Sequence, residues 1–131
     1  MTDSGSPSRF ETVPRRVEKP WGWELIWAET DLYVGKLLFV RAGEALSLQY
    51  HEEKDESWLV REGRVRIDLG SPDGDLETIE VESGAAFHLP PRTVHRLSAV
   101  EDTLVLEVST SHLGDVVRLD DRYGREGTSE P

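Results

Sequence analysis

Short apolar stretches separated by turn-forming residues run through most of the chain. In one of them, Val65, Ile67 and Leu69 alternate with Arg64, Arg66 and Asp68. Such alternation is typical of a β-strand with one face on a core and the other in water. The pattern predicts strands over residues 24–28, 32–41, 46–50, 57–60, 64–69, 78–82, 85–89, 94–100 and 103–109.

The arrangement of these strands predicts the fold class. No helical periodicity occurs before residue 110, and turn signals such as Gly70-Ser71-Pro72-Asp73-Gly74 recur at intervals typical of an antiparallel β-sandwich or small barrel. We expect one domain over residues 17–123, a flexible N-terminal arm over 1–16 and a frayed tail over 124–131. Residues 114–119 fit either an extended segment or a single helical turn.

Composition limits the classes of function. The 131 residues contain no cysteine, which excludes disulfides, thiolate metal sites and a cysteine nucleophile. The formal net charge of -11 argues against nucleic acid or an anionic membrane as a partner, and an anionic ligand would need basic residues inside its own pocket. Because no signal-like or membrane-spanning apolar run is found, we expect a cytoplasmic protein.

Four residues are candidate metal ligands. Gln49 and His51 are two apart, so their side chains leave the same face of a strand, and the polar turn that follows can return Glu56 to their side. His95 follows a separate turn at Pro90-Pro91-Arg92 and is the candidate fourth ligand. We expect a divalent ion, with zinc first and manganese, cobalt, nickel or iron as alternatives, because all of them accept nitrogen and oxygen donors.

The spacing of these residues resembles the two motifs of the cupin superfamily. Gly43, His51, Glu56 and Gly63 match the first motif, with Gln49 in place of its first histidine, and Gly84, Pro90 and His95 match the second. Arg92 replaces the second glycine of that motif and Ala99 replaces its asparagine. The resemblance implies a single-domain, all-β, cupin-like double-stranded β-helix (a jelly-roll barrel) with a metal in its mouth.

Most of the chain also resembles the C-terminal isomerase domain of type II phosphomannose isomerases. Three stretches carry this resemblance: Lys19-Pro20-Trp21-Gly22, Leu46-Ser47-Leu48-Gln49-Tyr50-His51, and the segment from Leu113-Gly114 to Asp121-Arg122-Tyr123-Gly124-Arg125. A glutamine ligand is that family's own variant. The chain departs from the family at Glu52-Glu53-Lys54, where the family tends to have His-His-Arg, and nothing in it resembles a nucleotidyltransferase domain.

The resemblance implies an aldose–ketose isomerase acting on mannose 6-phosphate or a related sugar phosphate, with the metal as a Lewis acid. The alternative is a non-catalytic or sensory cupin that binds a small sugar-like ligand. A general base is not assigned; Glu52, Glu53 and Glu107 are candidates by residue type alone.

Two basic residues are candidates for binding the substrate phosphate. Lys54 lies at the ligand turn and Arg96 follows His95, with Arg92 on the adjoining loop. The alternatives are a solvated turn lysine and an outward-facing arginine, since strand alternation directs Arg96 away from His95. Exposed sheet edges and an N-terminal arm also make a homodimer an expected state.

Overall fold

The computed structural model describes residues 8–112 and 114–125, which form eleven β-strands. In chain order these are β1 (Arg15–Lys19), β2 (Gly22–Glu29), β3 (Tyr33–Val40), β4 (Leu48–Tyr50), β5 (Glu56–Glu62), β6 (Arg64–Gly70), β7 (Glu77–Glu82), β8 (Ala86–Leu89), β9 (Val94–Ala99), β10 (Thr103–Thr110) and β11 (Val117–Asp120). Within the described ranges there is no helix with the length and apolar character needed to cross a membrane.

The strands form two antiparallel sheets. One has the order β1-β2-β3-β10-β5-β8 and the other β11-β4-β9-β6-β7. Their inward-facing apolar side chains form the core, whose buried members are Trp21, Leu38, Val40, Trp58, Val60, Val65, Ile67, Leu89, Leu97, Ala99 and Val105. Two antiparallel sheets around one apolar core confirm the predicted all-β jelly-roll fold.

Each of the nine predicted strands has a counterpart, and the two remaining strands lie at the ends of the described chain. Strand β1 begins at Arg15 and pairs with β2, so Arg15 and Arg16 belong to the sheet and not to the expected arm. Strand β11 pairs with β4, which resolves the 114–119 segment in favour of extended structure at its C-terminal end. The parts of the expected arm and tail at 1–7 and 126–131 lie outside the described residues.

Two turns within the cupin-like motifs depend on left-handed backbone conformations. Gly63 has φ 102°, and a Cβ there would lie 2.5 Å from the carbonyl oxygen of Asp102, so this turn requires glycine. Arg92 has φ 67° at the position where the cupin motif has glycine. Its backbone N–H donates to the carbonyl of His51 at 2.7 Å, which ties the second motif to the first.

Candidate metal centre and adjoining cavity

Strand pairing brings the predicted ligands together. Gln49 on β4 lies directly opposite His95 on β9, His51 is the first residue after β4, and Glu56 is the first residue of β5. Glu56 itself lies opposite Leu89 on β8 and Ser109 on β10. The site therefore lies between the two sheets, where both contribute side chains.

His51, Glu56 and His95 form a compact buried cluster. Their potential ligand atoms all lie within 4.8 Å of one another. The Nε2 atom of His51 is 2.8 Å from Oε2 of Glu56, and that of His95 is 3.6 Å from the same oxygen. This is the arrangement of two imidazole nitrogens and a carboxylate that a divalent ion accepts.

The hydrogen bonds of the two rings determine which nitrogen atoms are available. Nδ1 of His51 lies 2.5 Å from the carbonyl oxygen of Asp115, and Nδ1 of His95 lies 2.8 Å from that of Thr93. Because a carbonyl oxygen only accepts, each Nδ1 is the donor, and in the neutral ring the lone pair is on Nε2. Both lone pairs are thus directed at Glu56. Metal-binding histidines are commonly oriented in this way, by a hydrogen bond that the other ring nitrogen donates.

The protonation of these groups also fits a cation. Burial lowers the pKa of His95, which keeps its ring neutral, although the charge of Glu56 opposes this effect. Burial alone would raise the pKa of Glu56, but the contact with His51 and the charge of Lys54 lower it below its ordinary range. The buried atoms His51 Nε2 and Glu56 Oε2 have no hydrogen-bond partner among the described residues, and when the ring is neutral they are two acceptors 2.8 Å apart. A divalent cation between them would satisfy both.

Gln49 lies beside this cluster. Its Oε1 accepts a hydrogen bond from Ser47 Oγ at 2.7 Å, and its Nε2 is 3.5 Å from Nε2 of His95. Flipping the side-chain amide would exchange the positions of its oxygen and nitrogen atoms and direct the oxygen at the cluster. Its role as the fourth ligand stays a prediction.

Trp58 connects the cluster to a second buried carboxylate. Its ring is 2% exposed and packs edge-on against His95, with centroids 5.2 Å apart. Its Nε1–H points between Glu56 Oε1 at 3.0 Å and Glu107 Oε1 at 3.2 Å. One indole donor thus orients both carboxylates.

Asp115 holds the ligand turn in place. Its carboxylate accepts the backbone N–H groups of Glu52 at 3.0 Å, Glu53 at 2.6 Å and Lys54 at 2.9 Å. Burial raises its pKa, but these three hydrogen bonds together outweigh burial and lower the pKa overall. The turn between His51 and Glu56 is therefore fixed by a residue more than 60 positions later, both through this carboxylate and through the Asp115 carbonyl.

A cavity of about 520 Å³, partly open to solvent, adjoins the cluster. Gln49 and His51 are part of its wall. Its other lining residues are Lys19, Trp21, Glu24, Lys36, Leu38, Leu46, Ser47, Lys54, Glu107, Val116, Arg118 and Arg125.

The wall of this cavity is positively charged. It contains five basic side chains, Lys19, Lys36, Lys54, Arg118 and Arg125, against two carboxylates, Glu24 and Glu107. The Nζ atom of Lys36 is 3.4 Å from Glu24, and that of Lys54 is 3.4 Å from Glu107. Arg125 is also paired with Asp121, 3.1 Å away, so the positive charges of the wall are partly balanced, but its lining side chains remain more basic than acidic in a protein of net charge -11. An anionic ligand needs a site of this kind, where the local charge is opposite in sign to the net charge of the protein.

The predicted phosphate-binding residues have different positions. Lys54 is buried in the cavity wall, so the alternative of a solvated turn lysine is wrong. Arg96 is paired with Asp68 at 3.3 Å and Asp120 at 3.1 Å on the outer side of β9, and it does not line the cavity. The strand alternation that separates Arg96 from His95 is the reason.

Among the candidate bases, only Glu107 lies in the cavity wall. Burial raises the pKa of Glu107, an effect that the nearby Lys54 opposes. Glu52 is paired with Arg92 at 2.8 Å on the surface, and Glu53 is exposed. Arg92, the partner of Glu52, is therefore a surface residue and does not line the cavity.

Sequence reasoning missed most of the basic cavity residues. Lys19 and Arg125 lie in the stretches that carry the family resemblance, so that resemblance was the available signal. Lys36 and Glu24 gave a second signal in the sequence, because each is a charged residue at an inward-facing strand position whose inward-facing neighbours are apolar. Arg118 could not be assigned because its strand was not predicted.

The remaining histidines lie away from the cluster. His88 is 2.7 Å from Asp55, and its side chain is 63% exposed, so it lies on the surface and is not part of the cluster. His112 has a partner that the sequence did not indicate, because its Nδ1 is 2.9 Å from Thr110 Oγ1.

Comparison with known proteins identifies related sequences. A profile of the family described as "Mannose-6-phosphate isomerase C-terminal" matches residues 8–123. The mannose-1-phosphate guanylyltransferase of Escherichia coli K12 is 35% identical over 119 residues, which cover 86% of this chain and 24% of that protein. The alginate biosynthesis protein AlgA of Pseudomonas aeruginosa is 33% identical over 141 residues, covering 100% and 27%. The chain thus spans about a quarter of the length of these relatives.

Solved structures share the fold at low sequence identity. An oxalate decarboxylase has a TM-score of 0.68 at 20% identity, with 80% of this chain and 30% of that chain covered. CapF has a TM-score of 0.71 at 18% identity, with 88% and 37% covered. Both support the jelly-roll assignment, and one related structure concerns the Mn(II) centres of the Bacillus subtilis oxalate decarboxylase.

Proposed function

Because the chain belongs to the mannose-6-phosphate isomerase C-terminal family, we propose that it is a metal-dependent aldose–ketose isomerase of sugar phosphates such as mannose 6-phosphate. One observation carries the proposal: the His51–Glu56–His95 cluster lies beside a cavity with five basic side chains. A sugar phosphate presents a carbonyl and a dianion, and this site offers complementary groups for both.

The basic residues bind the phosphate in this proposal. Lys36, Arg118 and Arg125 belong to the cavity wall together with the metal-binding side chains Gln49 and His51. Charge-assisted hydrogen bonds from such groups are strong in a partly enclosed site, and guanidinium groups suit phosphate geometry. Binding there would hold the sugar so that its carbonyl end points toward the cluster.

The cluster would hold the divalent ion through His51, Glu56 and His95, with Gln49 as the proposed fourth ligand. When bound, such an ion supplies Lewis-acid stabilisation of negative charge on the sugar oxygens. The proposal keeps zinc as the first candidate and manganese, cobalt, nickel or iron as alternatives, since all accept this donor set.

Glu107 is the proposed proton acceptor. Its carboxylate would take the proton from the hydroxyl-bearing carbon next to the carbonyl, the C–H electrons would form the enediol double bond, and the carbonyl π electrons would move to the carbonyl oxygen. The hydroxyl proton would then pass to that oxygen, and protonated Glu107 would return its proton to the former carbonyl carbon, which leaves the new carbonyl on the neighbouring carbon. Lys54, 3.4 Å from Glu107, would hold the carboxylate in position. Trp58 would do the same from the other side.

The test is a coupled assay of mannose 6-phosphate conversion to fructose 6-phosphate by metal-loaded protein in deuterated buffer. We expect turnover with deuterium incorporation, a raised KM for Lys36→Gln and an unchanged KM for the matched control Arg96→Gln. Metal-loaded protein that converts no hexose phosphate would refute the isomerase.

The alternative function, a non-catalytic cupin that binds a small sugar-like ligand, has one observation in its favour. Glu107 is paired with Lys54, and a neighbouring positive charge opposes the uptake of a proton. Calorimetric binding of mannose 6-phosphate without turnover, abolished by Lys36→Gln, would support this alternative.

A further inference from the structure

The six-stranded sheet has an apolar outer face. Strand register places Leu25, Leu37, Leu106, Leu59 and Ala86 side by side across β2, β3, β10, β5 and β8. Their sequence neighbours Leu38 and Val105 face the core, so this row faces outward. Five adjacent strands therefore present an unbroken apolar row on the side away from the core.

The flanking rows of the same face are also apolar where they cross β2, β3 and β10. Trp23, Phe39 and Leu104 form one row, and the rings of Trp23 and Phe39 stack with centroids 5.4 Å apart. In the other row, the ring of Trp27 lies over Gly35, where an added Cβ would be 2.8 Å from that ring. Val108 on β10 lies opposite Gly35. Trp27 is 49% exposed and Val108 is 53% exposed.

The outer face of the five-stranded sheet is different. Arg64 and Arg66 on β6 face Glu82 and Glu80 on β7, with ion pairs of 3.3 Å in both cases. An antiparallel sheet that faces water normally shows this polar pattern. The contrast indicates that the apolar outer face of the six-stranded sheet is adapted to contact protein.

No described strand packs on this apolar face, because the other five strands form the second sheet across the core. The residues outside the described ranges contribute only Met1 and Leu113 as large apolar side chains, so their composition does not suit them to cover it. Strand and residue spacings give the apolar positions of the three rows an area of about 350 Å² in projection. With the polar margin added, the face approaches the roughly 800 Å² that each partner contributes to a standard interface.

We propose that this face binds a second copy of the chain, so that the protein is a homodimer with two six-stranded sheets packed face to face. Aligned sheets pack at a separation of about 10 Å, and a two-fold axis places the same flat patch on both partners. The dimer would form through sheet faces, whereas sequence reasoning expected edges and an N-terminal arm.

The charged residues at the margin of the face are compatible with a second copy of the chain as its partner. It carries Arg16 and Glu18 on β1, and Glu62 and His88 at the opposite side. Because both signs are present, a second copy meets no patch of a single like charge. The Arg16 guanidinium already covers part of Trp23, with its central carbon 4.7 Å from the ring centroid.

The test is the mass of the full chain in solution, measured by light scattering at micromolar concentration. We expect twice the 14.8 kDa monomer mass for the natural sequence. Val108→Lys and Leu59→Lys, at positions that are already partly exposed, should weaken dimerisation about tenfold or more because each buries an unpaired charge. Leu119→Lys on β11, where the leucine is 48% exposed, is the matched control.

Circular dichroism and metal content of each variant establish that it is folded. A monomer of the natural sequence would overturn the proposal and leave the face to a different protein or domain. A dimer that resists both lysine substitutions would also overturn it, because the contact would then lie elsewhere.

Discussion

The Nε2 atom of His51 lies 2.8 Å from Oε2 of Glu56, and neither atom has a hydrogen to share when the ring is neutral. The carbonyl of Asp115 accepts from Nδ1, so in the neutral tautomer the lone pair is on the Nε2 atom that faces Glu56. Two buried acceptors in such contact repel each other unless a cation lies between them.

Removal of either histidine should therefore abolish metal binding. We expect His51→Ala and His95→Ala to lose affinity for Zn²⁺ by more than the roughly 10–100-fold cost of losing an outer hydrogen bond, since each removes a direct ligand. Metal analysis and Zn²⁺ titration of the purified proteins measure this. His88→Ala is the control, because His88 contacts Asp55 on the surface. A His51→Ala protein with full metal content would refute the ligand assignment.

Metal binding should also stabilise the fold. At a free Zn²⁺ concentration 100-fold above Kd, binding adds about 2.7 kcal/mol to the free energy of unfolding, which corresponds to a rise in Tm on the order of 10 °C. Differential scanning calorimetry with and without a chelator measures the change. The His95→Ala variant should show no Zn²⁺-dependent rise, and an equal rise in both proteins would contradict the proposed site.

The Asp115 carboxylate should matter for metal affinity although it is not a ligand. Asp115→Ala removes the acceptor of three backbone N–H groups in the ligand turn, so we expect about 10–100-fold weaker Zn²⁺ binding. Asp115→Asn keeps one oxygen and should have an intermediate effect. Unchanged affinity in Asp115→Ala would show that the turn holds its shape without this residue.

The indole donor of Trp58 should contribute to stability. Trp58→Phe keeps an aromatic ring against His95 but removes the N–H that serves Glu56 and Glu107. Leaving buried carboxylate oxygens without a donor costs about 1–3 kcal/mol, measurable by urea denaturation. The matched control is Trp27→Phe, on the outer surface. Equal losses in the two variants would argue against the hydrogen-bonding role.

A pH dependence is expected from Asp121, whose buried carboxylate accepts from Nε and Nη2 of Arg125, each at 3.1 Å. Burial raises its pKa, but the hydrogen bonds from Arg125 lower it overall. Its stabilising contribution is therefore complete above the unfolded value of about 3.9 and is lost as pH falls through the lower folded pKa. Denaturation at several acidic pH values should show a smaller loss of stability for Asp121→Asn than for the natural sequence. Identical losses would rule out this contribution.

Much of the fold could be predicted because alternation of side chains is a local property. Nine strands and the positions of His51, Glu56 and His95 follow from spacing along the chain. The end strands could not be predicted in this way. β1 and β11 are short and carry many polar residues, and they are stabilised by pairing with β2 and β4.

The strand pattern, the types of the candidate metal ligands and the family resemblance can all be read from the sequence, because each depends on residues close together in the chain. Which charges share a cavity depends on tertiary packing. Lys19, Lys36, Arg118 and Arg125 come from separate segments and meet because β1, β3 and β11 turn their side chains toward one space between the sheets.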